Sequence, residues 1–239
     1  MEDECHSIHI GEIVALKKAE LGENDQGEIE KLDVALQSIQ KRLNYCEYHY
    51  SELVLFSDET SLKQDRYLQM CIGGISIRTR YEANAYGFLQ NLHALLDSLP
   101  YALNIFECVC TDIEAQSIGW KKEFIEKYAY YSFASSLNAL SIDENFSKLK
   151  GLVNRYKHKH VIRIKNDYVS LKFEDFTYMH NGTLEKMIDQ DVKLMLSECH
   201  DDLVPKYISL WDEVKRGKKS ALRGTRRPCQ TPDMKPTLA

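Results

Sequence analysis

The stretch LVNRYKHKHVIRI, Leu152 to Ile164, marks a change in the period of the hydrophobic residues and so decides the fold. Upstream of this change, from Glu144 to about His158, apolar residues recur at the spacing of one helix face. These residues are Phe146, Leu149, Leu152, Val153 and Tyr156. Downstream, VIRIKNDYVSLKFEDFTYM alternates β-branched and polar residues around Lys165 to Asp167, which predicts a β-hairpin or a pair of strands.

The helical period returns on both sides of this stretch. Four more segments are predicted to be helical: Gly27 to Ser57, Tyr81 to Leu99, Trp120 to Leu140 and Leu184 to Lys215. Pro100 is expected to kink or end the second of these, and Leu68 to Arg80 is ambiguous because Gly73 and Gly74 weaken a helix. The predicted fold class is therefore mainly α, a helical bundle of four to five long helices with a small β-hairpin inserted before the last helix.

The length of 239 residues suits a single domain with short additions at its two ends. Residues 1–25 show no clear hydrophobic period and are predicted to be an N-terminal extension. The helical bundle is predicted for residues 26–217, with the β insertion near residues 161–180. Residues 218–239 are basic and rich in Pro, Gly and Thr, and they are predicted to be a disordered tail.

The composition predicts a cytoplasmic protein. The first ten residues, MEDECHSIHI, lack the apolar run of a secretory signal, and no uncharged apolar stretch is long enough for a membrane span. The seven cysteines are odd in number and scattered, which favours reduced thiols. Cys108 and Cys110 are too close for a zinc knuckle and have no CxxC partner, so no metal site and no cofactor is predicted.

Two basic islands stand out from a chain with a formal net charge of −5. Lys148 to Lys165 and Lys215 to Arg227 each contain seven Lys or Arg residues and no Asp or Glu. Such islands would attract phosphate while the acidic remainder repels it. Helix C-termini also favour basic residues, because the helix dipole is negative there, and this explains part of each island. The second island is interpreted as a solvated arm.

The first island carries side chains suited to cutting RNA without a metal ion. The imidazole of His158 or His160 would move a proton to or from the ribose 2′-hydroxyl or the leaving oxygen. The guanidinium of Arg155 would stabilise charge on the phosphate, and Asn154 would supply a neutral hydrogen bond. Asn154 and His158 share one flank of a helix, with Arg155 beside His158, whereas His160 joins Arg155 only if the helix has unwound. The sequence leaves open which histidine pairs with Arg155.

Two overlapping motifs in the same stretch resemble those of HEPN domains (higher eukaryotes and prokaryotes nucleotide-binding). Arg155 to His160, RYKHKH, is similar to their R-x4-H signature, and Asn154 to His158, NRYKH, is similar to an N-x-x-K-H variant of HEPN-like bacterial helical proteins. In that group a helix with a His-x-x-x-Asp pair precedes the motif, and LHALLDSLPYALN holds His93 and Asp97 at this spacing. The resemblance implies an all-α bundle that works as a dimeric, metal-independent ribonuclease in toxin–antitoxin or anti-phage systems.

His93 and Asp97 are predicted to support the site. Their side chains are four residues apart on one helix and can meet, and their flank is expected to pack near Asn154. The same spacing also suits a buried hydrogen bond with a purely structural role. Nucleic-acid binding is predicted for four basic residues of the first island: Lys157, Lys159, Arg163 and Lys165.

Three interpretations of function follow. The first is a HEPN-like, metal-independent endoribonuclease that acts as a toxin or anti-phage effector. Its partners would be RNA, a second copy of the chain, and an antitoxin or defence-system protein, with no membrane partner. The second is a non-catalytic helical module that binds nucleic acid, nucleotide or a partner protein through the first island. The third is a structural bundle without a site. The order of Asn154, Arg155, His158 and His160 favours the first two.

Overall fold

The computed structural model describes residues 6–22, 25–56, 71–72, 74–166 and 170–224, and it confirms that the protein is mainly helical. The α-helices are α1 (Ile10–Leu21), α2 (Gln26–Phe56), α3 (Ile77–Glu107), α4 (Lys122–Ile125), α5 (Ala134–Ser141), α6 (Glu144–His158), α7 (Val192–Glu198) and α8 (Val204–Gly224). A 3₁₀ turn, Glu126–Tyr128, follows α4, and a π-helical turn, Cys199–Leu203, joins α7 to α8. Within the described ranges, no helix combines the length and the apolar character that a bilayer crossing requires.

The β structure consists of short antiparallel pairs. They are β1 (Cys71–Ile72) with β2 (Ile75–Ser76), β3 (Ile164–Asn166) with β4 (Leu171–Phe173), and β5 (Phe176–His180) with β6 (Thr183–Met187). The region after α6 therefore holds two hairpins where one was predicted. Asn181 and Gly182 both have positive φ, as in a two-residue hairpin turn, and they return the chain directly onto β5. Leu184 consequently lies in β6, so the prediction that a helix begins at Leu184 is wrong.

The two longest helices, α2 and α3, pack along each other and form the centre of the core. The predicted apolar stripe of α3 is completely buried: Phe88, Leu89, Leu92, Leu95, Leu96 and Leu99. Pro100 lies inside α3 and does not end it. A proline has no N–H to donate to the carbonyl four residues earlier. The indole Nε1 of Trp120 donates to that carbonyl, on Leu96, at 3.0 Å, so the helix continues without a buried unpaired acceptor.

The helix predicted from Trp120 to Leu140 is broken into α4, the 3₁₀ turn and α5. Because of the break, several aromatic rings reach the core together. On one continuous helix these rings would point in different directions. Tyr128 and Phe133 are both buried, with ring centroids 5.7 Å apart. On a regular helix these two side chains would diverge by about 140°. Packing of the aromatic rings therefore overrides the local helical preference.

The segment predicted as an N-terminal extension contributes to the common hydrophobic core. Ile8 and Ile13 are buried in the same core as α2 and α3. Lys17 on α1 is only 1% exposed, and its ammonium group donates to the backbone carbonyl of Phe106 at 3.1 Å. Residues 6–22 are therefore packed against the end of α3.

Two lysines of the second basic island form ion pairs that connect α8 to α1 and α3. Lys218 on α8 lies 2.6 Å from a carboxylate oxygen of Glu20 on α1 and 3.0 Å from one of Glu107 on α3. Lys219 pairs with Glu12 at 3.2 Å. The start of the predicted disordered tail is therefore helical as far as Gly224, and its remainder lies outside the described residues. Ion pairs with α1 and α3 therefore hold Lys218 and Lys219, in the described part of this island, against the rest of the fold.

Helix α6 lies directly on strand β5. A Cβ added at Gly151 would overlap the Cβ of Tyr178 and would lie 3.1 Å from its Cα. Only glycine permits this approach, because backbone atoms of β5 cannot rotate away as the end of a flexible side chain can. The contact fixes the position of α6, whose C-terminal end carries the HEPN-like motif.

We expect Gly151→Ala to lower the free energy of unfolding by about 1–3 kcal/mol, because the added methyl group forces α6 and β5 apart. This loss should exceed the helix-propensity gain of about 1 kcal/mol that alanine brings. The matched control is Gly11→Ala on α1, where no atom lies within 4 Å of the added Cβ. Urea unfolding measures both variants, and a Gly151→Ala protein as stable as Gly11→Ala would contradict the close contact.

Candidate functional site at the basic end of helix α6

The last turn of α6 separates the two histidines of the motif. The helix continues through His158, and Lys159 is its C-cap residue, with φ −128° and ψ −79°. The carbonyl of Arg155 accepts hydrogen bonds from the N–H groups of Lys159 at 2.9 Å and His160 at 3.3 Å. His158 is therefore on the helix one turn from Arg155, whereas His160 has left it. Of the two histidines, His158 is thus the one that shares the helix with Arg155.

Two further residues of the first island are neutralised by one carboxylate. The side chain of Glu174, which follows β4, lies 3.0 Å from His160 Nε2 and 3.1 Å from Arg163 Nε. Desolvation opposes the charge of Glu174, but hydrogen bonds from Arg163 and His160 lower its pKa below the usual range. Lys165 is exposed on β3. His160 and Arg163 are thus held in a structural ion-pair network, which the sequence alone did not indicate.

The remaining motif residues form an uncompensated basic surface, here called the basic end of α6: Asn154, Arg155, Lys157, His158 and Lys159. Asn154, Lys157, His158 and Lys159 are exposed, and Arg155 is half-buried. The Nε atom of Arg155 is buried without a hydrogen-bond partner. Among the described residues, no carboxylate forms a salt bridge with Arg155, Lys157 or Lys159. These cationic groups are therefore available to an anion such as phosphate.

Tyr156 faces the opposite way and anchors α6 to α3. Its ring stacks on that of Tyr86 with centroids 5.1 Å apart and an interplanar angle of 29°. The hydroxyl of Tyr86 in turn donates to the carbonyl of Ile162, just beyond α6. This pair of tyrosines holds the basic end of α6 in a fixed orientation.

The two residues of the predicted pair, His93 and Asp97, differ in burial. His93 is only 4% exposed, and Asp97 is exposed at the surface. Both ring nitrogens of His93 lack a hydrogen-bond partner in the described part of the chain, so the expected bond to Asp97 is not formed. Burial, together with the positive charges of Lys157 and Lys150, lowers the pKa of His93 to about 4 against the attraction of Asp97.

This environment places His93 beside α6, on the flank that carries Lys150 and Lys157. Arg155 points about 160° away from Lys157 around the helix, since successive residues rotate by about 100°. Arg155 thus lies on the other side of α6 from these two lysines, and His93 is neutral at pH 7.

A second cluster of ionisable side chains was not predicted. His6, Glu47 on α2 and His200 in the π-helical turn converge from three separate segments. His6 Nδ1 lies 2.7 Å from Glu47 Oε1, and His200 Nε2 lies 3.2 Å from Glu47 Oε2. The residues are 41 and 153 positions apart in the sequence, so no local motif could indicate the cluster.

Burial and hydrogen bonding act in opposite directions on this second cluster. Burial disfavours charge on both Glu47 and His200. Even so, hydrogen bonds from His200 and His6 lower the pKa of Glu47, and bonds with Glu47 and Asp201 raise the pKa of His200. The carboxylate of Glu47 is consequently ionised at neutral pH.

Comparison of the chain with protein-family models, with curated proteins and with solved structures found no match. The similarity to HEPN domains stays a prediction that rests on the motif from Asn154 to His160. Function has to be inferred from the chemistry of the side chains at the basic end of α6.

Proposed function

We propose that this protein is a HEPN-like endoribonuclease that cleaves RNA without a metal ion at the basic end of α6. The observation that carries the proposal is the position of Arg155 and His158 one helical turn apart, with no carboxylate of the described residues neutralising Arg155. A guanidinium and an imidazole are sufficient groups for phosphodiester transfer when the nucleophile belongs to the substrate.

In this mechanism the ribose 2′-oxygen attacks the adjacent phosphorus and the bond to the 5′-oxygen breaks. An imidazole accepts the 2′-hydroxyl proton, a second imidazole gives a proton to the departing 5′-oxygen, and Arg155 stabilises the charge that builds on the phosphate. The products are a 2′,3′-cyclic phosphate and a 5′-hydroxyl end. Asn154 would orient the phosphate or a base by a neutral hydrogen bond.

Acid catalysis and base catalysis together require two imidazoles. A single chain provides only one at the basic end of α6. His160 is engaged by Glu174 at 3.0 Å, which leaves His158 as the histidine near Arg155 that no carboxylate of the described residues engages. We infer that the active form is a homodimer in which two basic ends meet at one cleft. Its cellular role would be that of a toxin or anti-phage effector in the cytoplasm, restrained by an antitoxin or a defence-system partner.

A second candidate, a module that binds nucleic acid or nucleotide without cutting it, is favoured by one observation. The HEPN motif usually has Asn, Asp or His directly after the arginine, and here Tyr156 occupies that position and stacks on Tyr86. The basic end of α6 would then bind phosphate without completing the chemistry.

The assay that decides between the two uses purified protein of measured oligomeric state, total tRNA and mRNA, and excess EDTA. The first proposal predicts cleavage products with 2′,3′-cyclic phosphate ends, and no cleavage of DNA, which lacks the 2′-hydroxyl. Arg155→Ala protein is run beside the wild type to exclude a contaminating nuclease. Identical traces from the two proteins would overturn the enzyme proposal and leave the binding module.

Neutralising Lys157 and Lys159 together by substitution with Gln should weaken RNA binding and flatten its salt dependence. The slope of log affinity against log salt concentration should fall by about one unit for each phosphate group that the variant no longer binds. Fluorescence anisotropy at several salt concentrations measures this slope. Lys122→Gln is the control, because Lys122 is also exposed but lies on α4. An unchanged slope in the double variant would place the binding surface elsewhere.

A further inference from the structure

We propose that His6, Glu47 and His200 form a binding site for a divalent first-row transition ion, with Zn²⁺ as the expected occupant. Their potential ligand atoms all lie within 4.8 Å of one another. Two imidazoles and a carboxylate are a donor set that zinc accepts, and solvent would complete the tetrahedron because all three residues are partly exposed. The site is built from other elements than the basic end of α6.

The spacing of the donor atoms is close to that of a zinc site. Zinc bonds of about 2.0–2.2 Å hold two ligand atoms about 3.3 Å apart in a tetrahedron. His200 Nε2 already lies 3.3 Å and 3.2 Å from the two carboxylate oxygens of Glu47. His6 Nδ1 lies 2.7 Å from Glu47 Oε1, so this pair must open by about 0.6 Å to admit the ion.

The ring of His200 is held in the orientation that a metal ligand needs. Its Nδ1 lies 2.8 Å from a carboxylate oxygen of Asp201, which leaves Nε2 directed at Glu47. Metal-bound histidines commonly donate their second N–H to a carboxylate, which fixes the tautomer and strengthens the ligand. The ring also stacks on Tyr50 with centroids 3.9 Å apart and an interplanar angle of 7°.

The backbone that carries His6 is fixed on α2. Gln40 accepts a hydrogen bond from the N–H of Ile8 at 3.3 Å and donates to the carbonyl of His6 at 3.1 Å. Ile8 is 1% exposed and anchors the same segment in the core. The backbone next to His6 is therefore already ordered before an ion binds. This order lowers the conformational entropy that is lost on binding.

The π-helical turn supplies the third ligand. Cys199–Leu203 interrupts the run from α7 to α8 with one widened turn, and His200 is its second residue. Such turns insert an extra residue into a helix and occur often at functional sites. An ion at this point would join the N-terminal segment, α2 and the α7–α8 junction. The bundle should consequently be more stable when the ion is bound.

The test begins with protein stripped by a chelator and then dialysed free of it. Zn²⁺ is titrated in competition with a chromophoric chelator, and Co²⁺ is titrated as a spectroscopic probe. We expect one ion per chain, a visible cobalt absorption typical of a tetrahedral site, and a higher melting temperature with Zn²⁺. Chelator should lower the melting temperature without stopping RNA cleavage, so this proposal and the proposed ribonuclease can fail independently.

Glu47→Gln and His200→Gln should each weaken Zn²⁺ affinity by a factor of about 10 or more. Asp201→Asn, a change at an exposed residue that should not disturb folding, should weaken it less. His9→Asn is the control, because His9 is exposed near the same segment and its positive φ suits asparagine. Absence of 1:1 binding by the wild type overturns the site. The site is also overturned if Asp201→Asn and the folded variants of Glu47 and His200 bind Zn²⁺ as tightly as the wild type. The ion would then bind elsewhere.

Discussion

Arg155→Ala should lower the rate of RNA cleavage by a factor of about 10²–10³, which corresponds to the loss of about 3 kcal/mol of transition-state stabilisation. The guanidinium is the group best placed to bind phosphate, because no carboxylate in the described ranges pairs with it. Arg155→Lys should recover only part of the rate, since an ammonium group cannot make the bidentate contact. Single-turnover cleavage of a short labelled RNA measures these rates.

Arg163→Ala is the matched control for this prediction. Arg163 belongs to the same basic island but is ion-paired with Glu174 at 3.1 Å, so its removal should leave most of the activity. His158→Ala should cost more activity than His160→Ala, because His160 is bonded to the same carboxylate. A larger loss in His160→Ala would show that the functional histidine lies beyond the end of α6. Comparable losses in Arg155→Ala and Arg163→Ala would point to general electrostatic attraction and not to a catalytic guanidinium.

The second large effect is a loss of stability in mild acid that depends on His93. Burial lowers the pKa of His93 to about 4 in the folded protein, while an unfolded histidine titrates near 6.5. Because the unfolded state takes up the proton first, the stabilising contribution is complete above about pH 6.5 and is lost as the pH falls to about 4. The difference of about 2.5 pKa units corresponds to about 3 kcal/mol.

Urea unfolding at a series of pH values, for wild type and His93→Leu, isolates this contribution. Leucine fills similar space without burying two unpaired ring nitrogens, so the variant should be at least as stable at pH 7 and should lose less stability between pH 6.5 and 4. His9→Asn, at an exposed position, should keep the acid-dependent loss. If His93→Leu lost stability in parallel with the wild type, His93 would not be the group responsible.

The sequence by itself determined the features that depend on neighbours along the chain. The apolar period gave α6 its start near Glu144 and its end at His158, and it identified the buried face of α3. The sequence Asn181–Gly182 is typical of a tight hairpin turn, because both residues tolerate the positive φ that such a turn requires. The mainly α fold class follows from the same periodicity, whereas the breaks in the helices predicted for 120–140 and 184–215 do not.

Only the tertiary structure decided which polar groups are free and which are engaged. The sequence placed Arg155, His160 and Arg163 in one basic island without showing which of them has a partner, and the structure shows that Glu174, which follows β4, is bonded to the last two. Lys218 was assigned to a tail and is held by acids of α1 and α3. The physical reason is common to these cases. Hydrophobic period and turn chemistry act over a few residues, whereas the charge state and partners of a side chain depend on groups that folding brings from distant positions.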